Sequence, residues 1–159
     1  MAAGRSFASQ TLGGLCYKPA SCVEARRRMS GITFPPSVVE GFGVQVSQTG
    51  NRVDVICSGT LESQDPVRVL QPALLQLHAD LVNAKVALVH LQVNKVEYMN
   101  SAGLKCFMAW FLKAEQNPGH YTIEVVYDPA MTWQHLSFTT MGRIAPKALK
   151  MLPVKSPSR

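Results

Sequence analysis

Ser101 is the residue whose setting could do chemistry. It follows the valine-rich run Val86 to Val93 and the passage Asn94-Lys95-Val96-Glu97-Tyr98-Met99-Asn100, and it precedes Ala102-Gly103-Leu104 and an apolar stretch from Lys105 to Glu115. A hydroxyl is thereby set between a buried strand and the positive end of a helix. Unpaired backbone N–H groups at a helix N-terminus favour a cap oxygen or an anion. Ser101 therefore reads first as an N-cap satisfying the next turn. It also reads as a phosphorylation site, where a phosphate would add roughly 1.5 to 2 negative charges at that terminus. Asn100, Ala102 and Gly103 would flank the switch. A nucleophilic role has less support, because no G-x-S-x-G elbow surrounds the serine.

Other reactive side chains form no constellation. The histidines His78, His90, His120 and His135 are scattered, and His90 in the valine-rich strand reads as a packed or hydrogen-bonded residue rather than a ligand. Cys16, Cys22, Cys57 and Cys106 include no C-x-x-C and no zinc-finger spacing, so they read as small apolar residues in a reducing compartment. There is no Gly-rich phosphate loop, H-E-x-x-H or paired-carboxylate motif. The expectation is a protein that is not an enzyme and uses no cofactor or metal.

The elements that must position Ser101 follow from period and punctuation. Val44 and Val46, then Val53, Val55 and Cys57, alternate on either side of Thr49-Gly50-Asn51, which predicts a hairpin. Asp65-Pro66 predicts a helix start, and Leu70, Leu74, Leu77 and Leu81 predict the buried face of that helix. Pro72 either bends it or marks its regular beginning. Residues 86 to 93 are nearly all apolar, as in a strand covered on both faces. The second helix stops at Asn117-Pro118-Gly119, and Tyr121 to Tyr127 reads as a strand by its β-branched and aromatic content. Asp128-Pro129 starts a third helix reaching to about Gly142, and Ala148 to Leu152 suits a short edge strand. The order β-β-α-β-α-β-α(-β) predicts an α/β fold, a mixed and largely parallel sheet of four to five strands with helices on one face.

Composition bounds the class. A chain of 159 residues that is 47% hydrophobic supports one domain with a real core. The net charge of +6 is concentrated: Arg5, Lys18, Arg26, Arg27 and Arg28 against Glu24 leave +4 in the first thirty residues, and the rest carries eleven basic and nine acidic side chains. With no basic stripe in the folded part, nucleic acid is not an expected partner. No run approaches about 18 apolar residues, so no membrane span is expected, and the localisation read is cytoplasmic. Residues 1–36 read as a disordered leader and linker, 37–153 as the domain and 154–159 as a loose tail. The leader has a weak transit-peptide composition, and an extension or an upstream start ahead of Met29 is preferred.

The second helix carries a further signal. At 100° per residue, Leu104, Phe107, Met108, Phe111 and Leu112 form its predicted core side. Ala102, Cys106, Ala109 and Lys113 fall opposite, with Trp110 on the flank. An exposed side so poor in charge invites a protein partner. The predicted partner surface is Ala102, Lys105, Cys106, Ala109, Trp110 and Lys113, unless the chain's own ends cover it. On the third helix Trp133, Leu136 and Thr140 share one face, and Met131, Phe138 and Met141 another.

The element order, the Gly59-Thr60-Leu61 exit and the passage Val96-Glu97-Tyr98-Met99-Asn100-Ser101-Ala102-Gly103-Leu104 together resemble the STAS domain, the fold of bacterial anti-sigma factor antagonists. The resemblance covers about residues 38 to 152 and is most specific at Ser101-Ala102-Gly103-Leu104. Tyr127-Asp128-Pro129 and Thr132-Trp133-Gln134 also look like a subgroup of small stand-alone STAS-like bacterial regulators. The resemblance implies a SpoIIAA-like sheet and a non-enzymatic signalling protein. Ser101 would be phosphorylated by a GHKL-type serine kinase that also acts as anti-sigma factor, and the helix after it would dock that partner. Where the family usually has aspartate before the serine, this chain has Asn100, which keeps local hydrogen bonds and removes a charge. The alternatives are a constitutive scaffold or small-ligand-sensing STAS module and, third, a small serine-dependent enzyme.

Overall fold

The computed structural model describes residues 31–35 and 38–155. Cys16, Cys22, the leader through residue 30, Pro36 of the linker and the last four residues of the tail lie outside the described residues. Five strands form one sheet in the order β1 (Phe42–Thr49), β2 (Arg52–Leu61), β3 (Leu88–Met99), β4 (Thr122–Tyr127), β5 (Leu149–Pro153). The β1/β2 pair is antiparallel and every other pair is parallel. Between them run α1 (Leu70–Asn83), α2 (Ser101–Gln116) and α3 (Thr132–Ile144). This is the predicted mixed sheet, with the closing strand present. A sequential order with right-handed crossovers brings all three helices to one face.

The β1/β2 hairpin closes with Thr49 opposite Arg52. Gly50 stands at the first of the two turn residues with φ +60°, a conformation glycine adopts without strain. Strand β4 buries every second residue throughout, and β2 and β3 do so as far as Cys57 and Val93. Val53, Val55, Cys57, Val89, Leu91, Val93, Ile123 and Val125 lie in the core under the helices. The helix-free face carries Asp54, His90, Glu124 and Lys150 in one row of register partners. Charges pair on it: Arg52 with Asp54 at 2.6 Å, and Glu124 with Lys150 at 3.4 Å and near His90 at 3.6 Å. His90 is thus at a charge-lined surface rather than in the core. β3 is therefore covered on one face rather than two, with His90 and Gln92 on the polar side.

Several element starts differ from the sequence expectation. Pro66–Arg68 is a short 3-10 turn and α1 begins at Leu70, so Pro72 sits at its third position. The first turn needs no N–H from it, and the helix continues. Asp65 does not cap; it pairs with Arg68 at 2.8 Å. Asp128 likewise closes a turn, accepting from the Ala130 N–H at 2.9 Å, and α3 starts later, after Met131. Strand β3 runs on to Met99, six residues beyond the predicted end. Its pairing with β4 stops at Gln92 opposite Val126. Gln134 of α3 replaces the missing neighbour: its Nε2 donates to the Val93 and Val96 carbonyls at 3.1 and 2.7 Å, and its Oε1 accepts from the Asp128 N–H at 2.8 Å.

α1, α2 and the start of β4 share one polar contact inside the core. The indole N–H of Trp110 donates to the Tyr121 oxygen at 2.9 Å, and that hydroxyl lies 2.6 Å from Nδ1 of His78. The Tyr121 oxygen accepts from Trp110, and its own O–H is free to donate to the Nδ1 of a neutral His78. Burial, then Lys113 and His120, hold His78 below its ordinary value. The unfolded chain therefore takes up this proton more readily, and stability rises with pH. Stability contributed here is complete above about pH 6.5 and falls as pH drops from there through the lower native value. Urea titrations at stepwise lower pH should show the decline, and His78→Gln should flatten it; identical slopes in the two proteins would refute the assignment.

Candidate functional site

The passage predicted to hold Ser101 is built by three strand ends and one cap. Gly59 has φ +89° and comes so close to the Gly41 carbonyl that a β-carbon has no room. Here β2 shifts register against β3, the irregularity by which a strand bends. The Asn100 N–H donates to the Leu61 carbonyl at 3.0 Å, fixing the end of β3 to the end of β2. Gly103, in the first turn of α2, lies directly on Leu61 and on Met99, whose Cγ would be 2.9 Å from an added β-carbon.

Asn100, not Ser101, is the N-cap. Its backbone is extended, with φ −73° and ψ 168°, and its Oδ1 accepts from the Gly103 N–H at 2.8 Å. Its Nδ2 donates to the Ser63 carbonyl at 2.8 Å. One amide thus caps α2 and holds the loop after β2, a pair of tasks that a carboxylate cannot perform. The cap reading of Ser101 fails because the β2 tie holds residue 100 outside the helix, which makes 101 the first helical residue. Ser101 is exposed, and its hydroxyl makes no hydrogen bond among the described residues. Asn100→Ala should lower stability by about 1 to 2 kcal/mol, since the cap and the Ser63 link go together. Asn100→Asp should lie between alanine and wild type in thermal unfolding, because it keeps only the cap.

The expected partner surface needs correction. Lys105 and Lys113 are exposed, and Ala102 and Ala109 are half-buried, but Cys106 and Trp110 are fully buried. The Cys106–Trp110 stripe turns to α1, where the indole finds Tyr121. The core arc of α2 is Gly103, Cys106, Phe107, Trp110, Phe111 and Ala114. Leu104 and Met108, assigned to the core, lie half-buried on its margin, and Leu112 is 38% exposed. Small Gly, Cys and Ala among three aromatic rings were the available signal, because close packing pairs large side chains with small ones. On α3, Phe138 and Met141 are buried, Trp133 is half-buried, and Leu136 and Ile144 are exposed.

Burial pushes the Cys57 thiol up to about 12 and raises Cys106 as well, so both stay protonated and unreactive. Among the described residues no group of His, Cys, Asp and Glu could hold a metal ion, and no helix is long and apolar enough to cross a membrane. His78 is bound to Tyr121, and His90 is on the sheet face away from α2, so neither is placed as a base for Ser101. A cavity of about 380 Å³ opens beside the Asn100 tie, lined by Val39, Glu40, Gly41, Thr60, Glu62 and Ser63.

No family model matches the chain, and no curated protein matches it. Solved structures do. An anti-sigma factor antagonist from Mycobacterium paratuberculosis superposes with a TM-score of 0.50 at 21% identity, covering 71% of this chain and 86% of that one. A chain of the Pseudomonas aeruginosa diguanylate cyclase SiaD in complex with its activator SiaC gives 0.57 at 12% identity, covering 77% and 99%. The anti-sigma factor antagonist SpoIIAA in its unphosphorylated form gives 0.43 at 16% identity, covering 71% and 89%. With the sequential sheet, one-sided helices and capped α2 described above, the chain carries a STAS-like domain, the fold of the anti-sigma factor antagonists.

Proposed function

We propose that the protein is a non-enzymatic signalling regulator that binds a partner protein through the outer side of α2 and is switched by phosphorylation of Ser101. The observation that carries this reading is the exposed Ser101 hydroxyl at the first position of a helix whose cap is supplied by its neighbour. A phosphate there meets the unpaired N–H groups of the first turn and leaves the fold intact. It also places negative charge at the head of the half-apolar outer side formed by Leu104, Met108 and Leu112. The fold shared with an anti-sigma factor antagonist supports a partner of the anti-sigma factor or serine kinase class, acting in the cytoplasm. Intact-mass and peptide mass spectrometry of protein recovered from its native cell tests the switch. A fraction modified at Ser101 that changes with growth state is expected, and an unmodified residue under every condition would remove it.

The second reading, a small-ligand-sensing module, draws on the cavity beside Asn100. It opens at the carboxyl end of a strand, where open parallel sheets commonly hold ligands. Glu40 and Glu62 on its wall favour a cationic ligand. A thermal shift produced by small polyamines and abolished by Glu62→Gln would support that reading.

A further inference from the structure

The border between α2 and α3 leaves large apolar side chains exposed. α2 packs along α1 and only grazes α3. The sides that face each other are fixed by contacts at both ends. Glu115, two turns beyond Met108, accepts from the Lys147 and Ala148 N–H groups that follow α3, at 2.9 and 2.8 Å. The stripe Leu104, Met108, Glu115 therefore looks toward α3. On α3, Gly142 lies against Met151 of β5, whereas the Trp133 indole N–H reaches back to the Glu97 carbonyl of β3 at 3.1 Å. The Trp133 side therefore looks toward α2, and at 100° per residue Ile144 shares it. Along this border Leu104 and Met108 on α2 face Trp133 and Ile144 on α3, with Ser137 and Thr140 between those two and with Leu112 and Leu136 on the outer rims. Of six large apolar side chains exposed among the described residues, three (Leu112, Leu136 and Ile144) are here, at 38%, 60% and 51% exposure, which sets this border apart from the charge-paired free face of the sheet.

The rim is basic. Lys105 and Arg143 stand exposed on the outer sides of the two helices. α3 contains no acidic residue, and the single acid of α2, Glu115, is bound to backbone N–H groups. Glu97 lies at the Trp133 end only. From Leu104 to Leu112 the apolar border runs about 12 Å along α2, a little over two helical turns. Resting on the reading that this side of α2 meets a partner, we propose that the border forms a groove that receives an amphipathic helix of that partner whose apolar face is flanked by Asp or Glu. Lys105 then has two competing anions. It is one turn from Ser101 on the same outer stripe, so a phosphate on Ser101 pairs with Lys105 and repels the acidic flank of the incoming helix.

The test uses the full chain with isotope-labelled methyl groups and two helical peptides of identical leucine face, one flanked by Glu and one by Lys. The acidic peptide is expected to bind saturably, with shifts centred on Leu112, Leu136 and Ile144. The Lys105→Glu, Arg143→Glu variant should weaken it roughly tenfold and gain affinity for the Lys-flanked peptide. Both substitutions are on the surface, and an unchanged methyl spectrum of the free protein establishes that the variant folds. Equal binding of the two peptides, shifts mapped to the helix-free sheet face, or sedimentation showing a second copy of the chain in the groove would each overturn the proposal. Modified Ser101 in cells alongside failed peptide binding would sink the groove and spare the switch. Peptide binding with Ser101 never modified would do the reverse.

Discussion

Replacing Gln134 by leucine is expected to destabilise the domain by about 3 kcal/mol. The side chain is completely buried and serves three backbone groups at once: the carbonyls of Val93 and Val96 and the N–H of Asp128. Leucine fills nearly the same volume, so the loss is one of hydrogen bonding rather than packing. Each orphaned buried group costs about 1 to 3 kcal/mol, and partial hydration of the strand end recovers part of the sum. Urea unfolding should show a lower midpoint with an unchanged slope, which separates a stability loss from a change of fold. A midpoint shift worth less than about 1 kcal/mol would mean that the end of β3 finds other donors.

Ser101→Asp is expected to weaken partner binding about a hundredfold, or roughly 2.7 kcal/mol, while leaving the domain as stable as before or slightly more so. The two effects have separate causes. A carboxylate at the first position of α2 is favoured by the helix dipole and disturbs no packed group, because Ser101 is exposed and Asn100 does the capping. The same charge sits beside Lys105 at the head of the docking stripe, where an acidic partner segment would be repelled. Ser101→Ala should bind like the unmodified protein. Calorimetry with the recovered partner, paired with thermal unfolding, reads both quantities. Full affinity in Ser101→Asp would end the switch mechanism, and lost affinity together with a lower melting temperature would mark a folding defect instead.

Legibility from the sequence differed by element. Alternating Val53, Val55 and Cys57 specified a strand with one buried face, and Leu70, Leu74, Leu77 and Leu81 specified a helix and the side it hides. Both patterns report local period, which survives whatever the neighbours do. Strand β3 was predicted too short because residues 94–99 mix Asn, Lys and Glu with Val and Met. They remain extended through pairing with the bent end of β2 and through the Gln134 amide, and both partners are distant in sequence. Gln134 itself carries no local sign of its role, since a glutamine in a helix is ordinarily a surface residue.

The pattern of residues by itself determined the element order, the sheet with its hairpin and parallel crossovers, and the arrival of Ser101 at the head of a helix, because period, turn residues and helix stops act within a few neighbours. Only the tertiary structure decided which way α2 is rotated. Leu104, Phe107 and Met108 allow a core side centred on either flank, and the choice fell to Trp110, which turns inward because Tyr121, from the following strand, accepts its indole N–H. That rotation buries Cys106 with Trp110 and lifts Leu112 into view. The cap was decided in the same way: whether Asn100 or Ser101 ends the turn depends on the Leu61 and Ser63 carbonyls some forty residues earlier, which hold Asn100 outside the helix and leave the serine hydroxyl free.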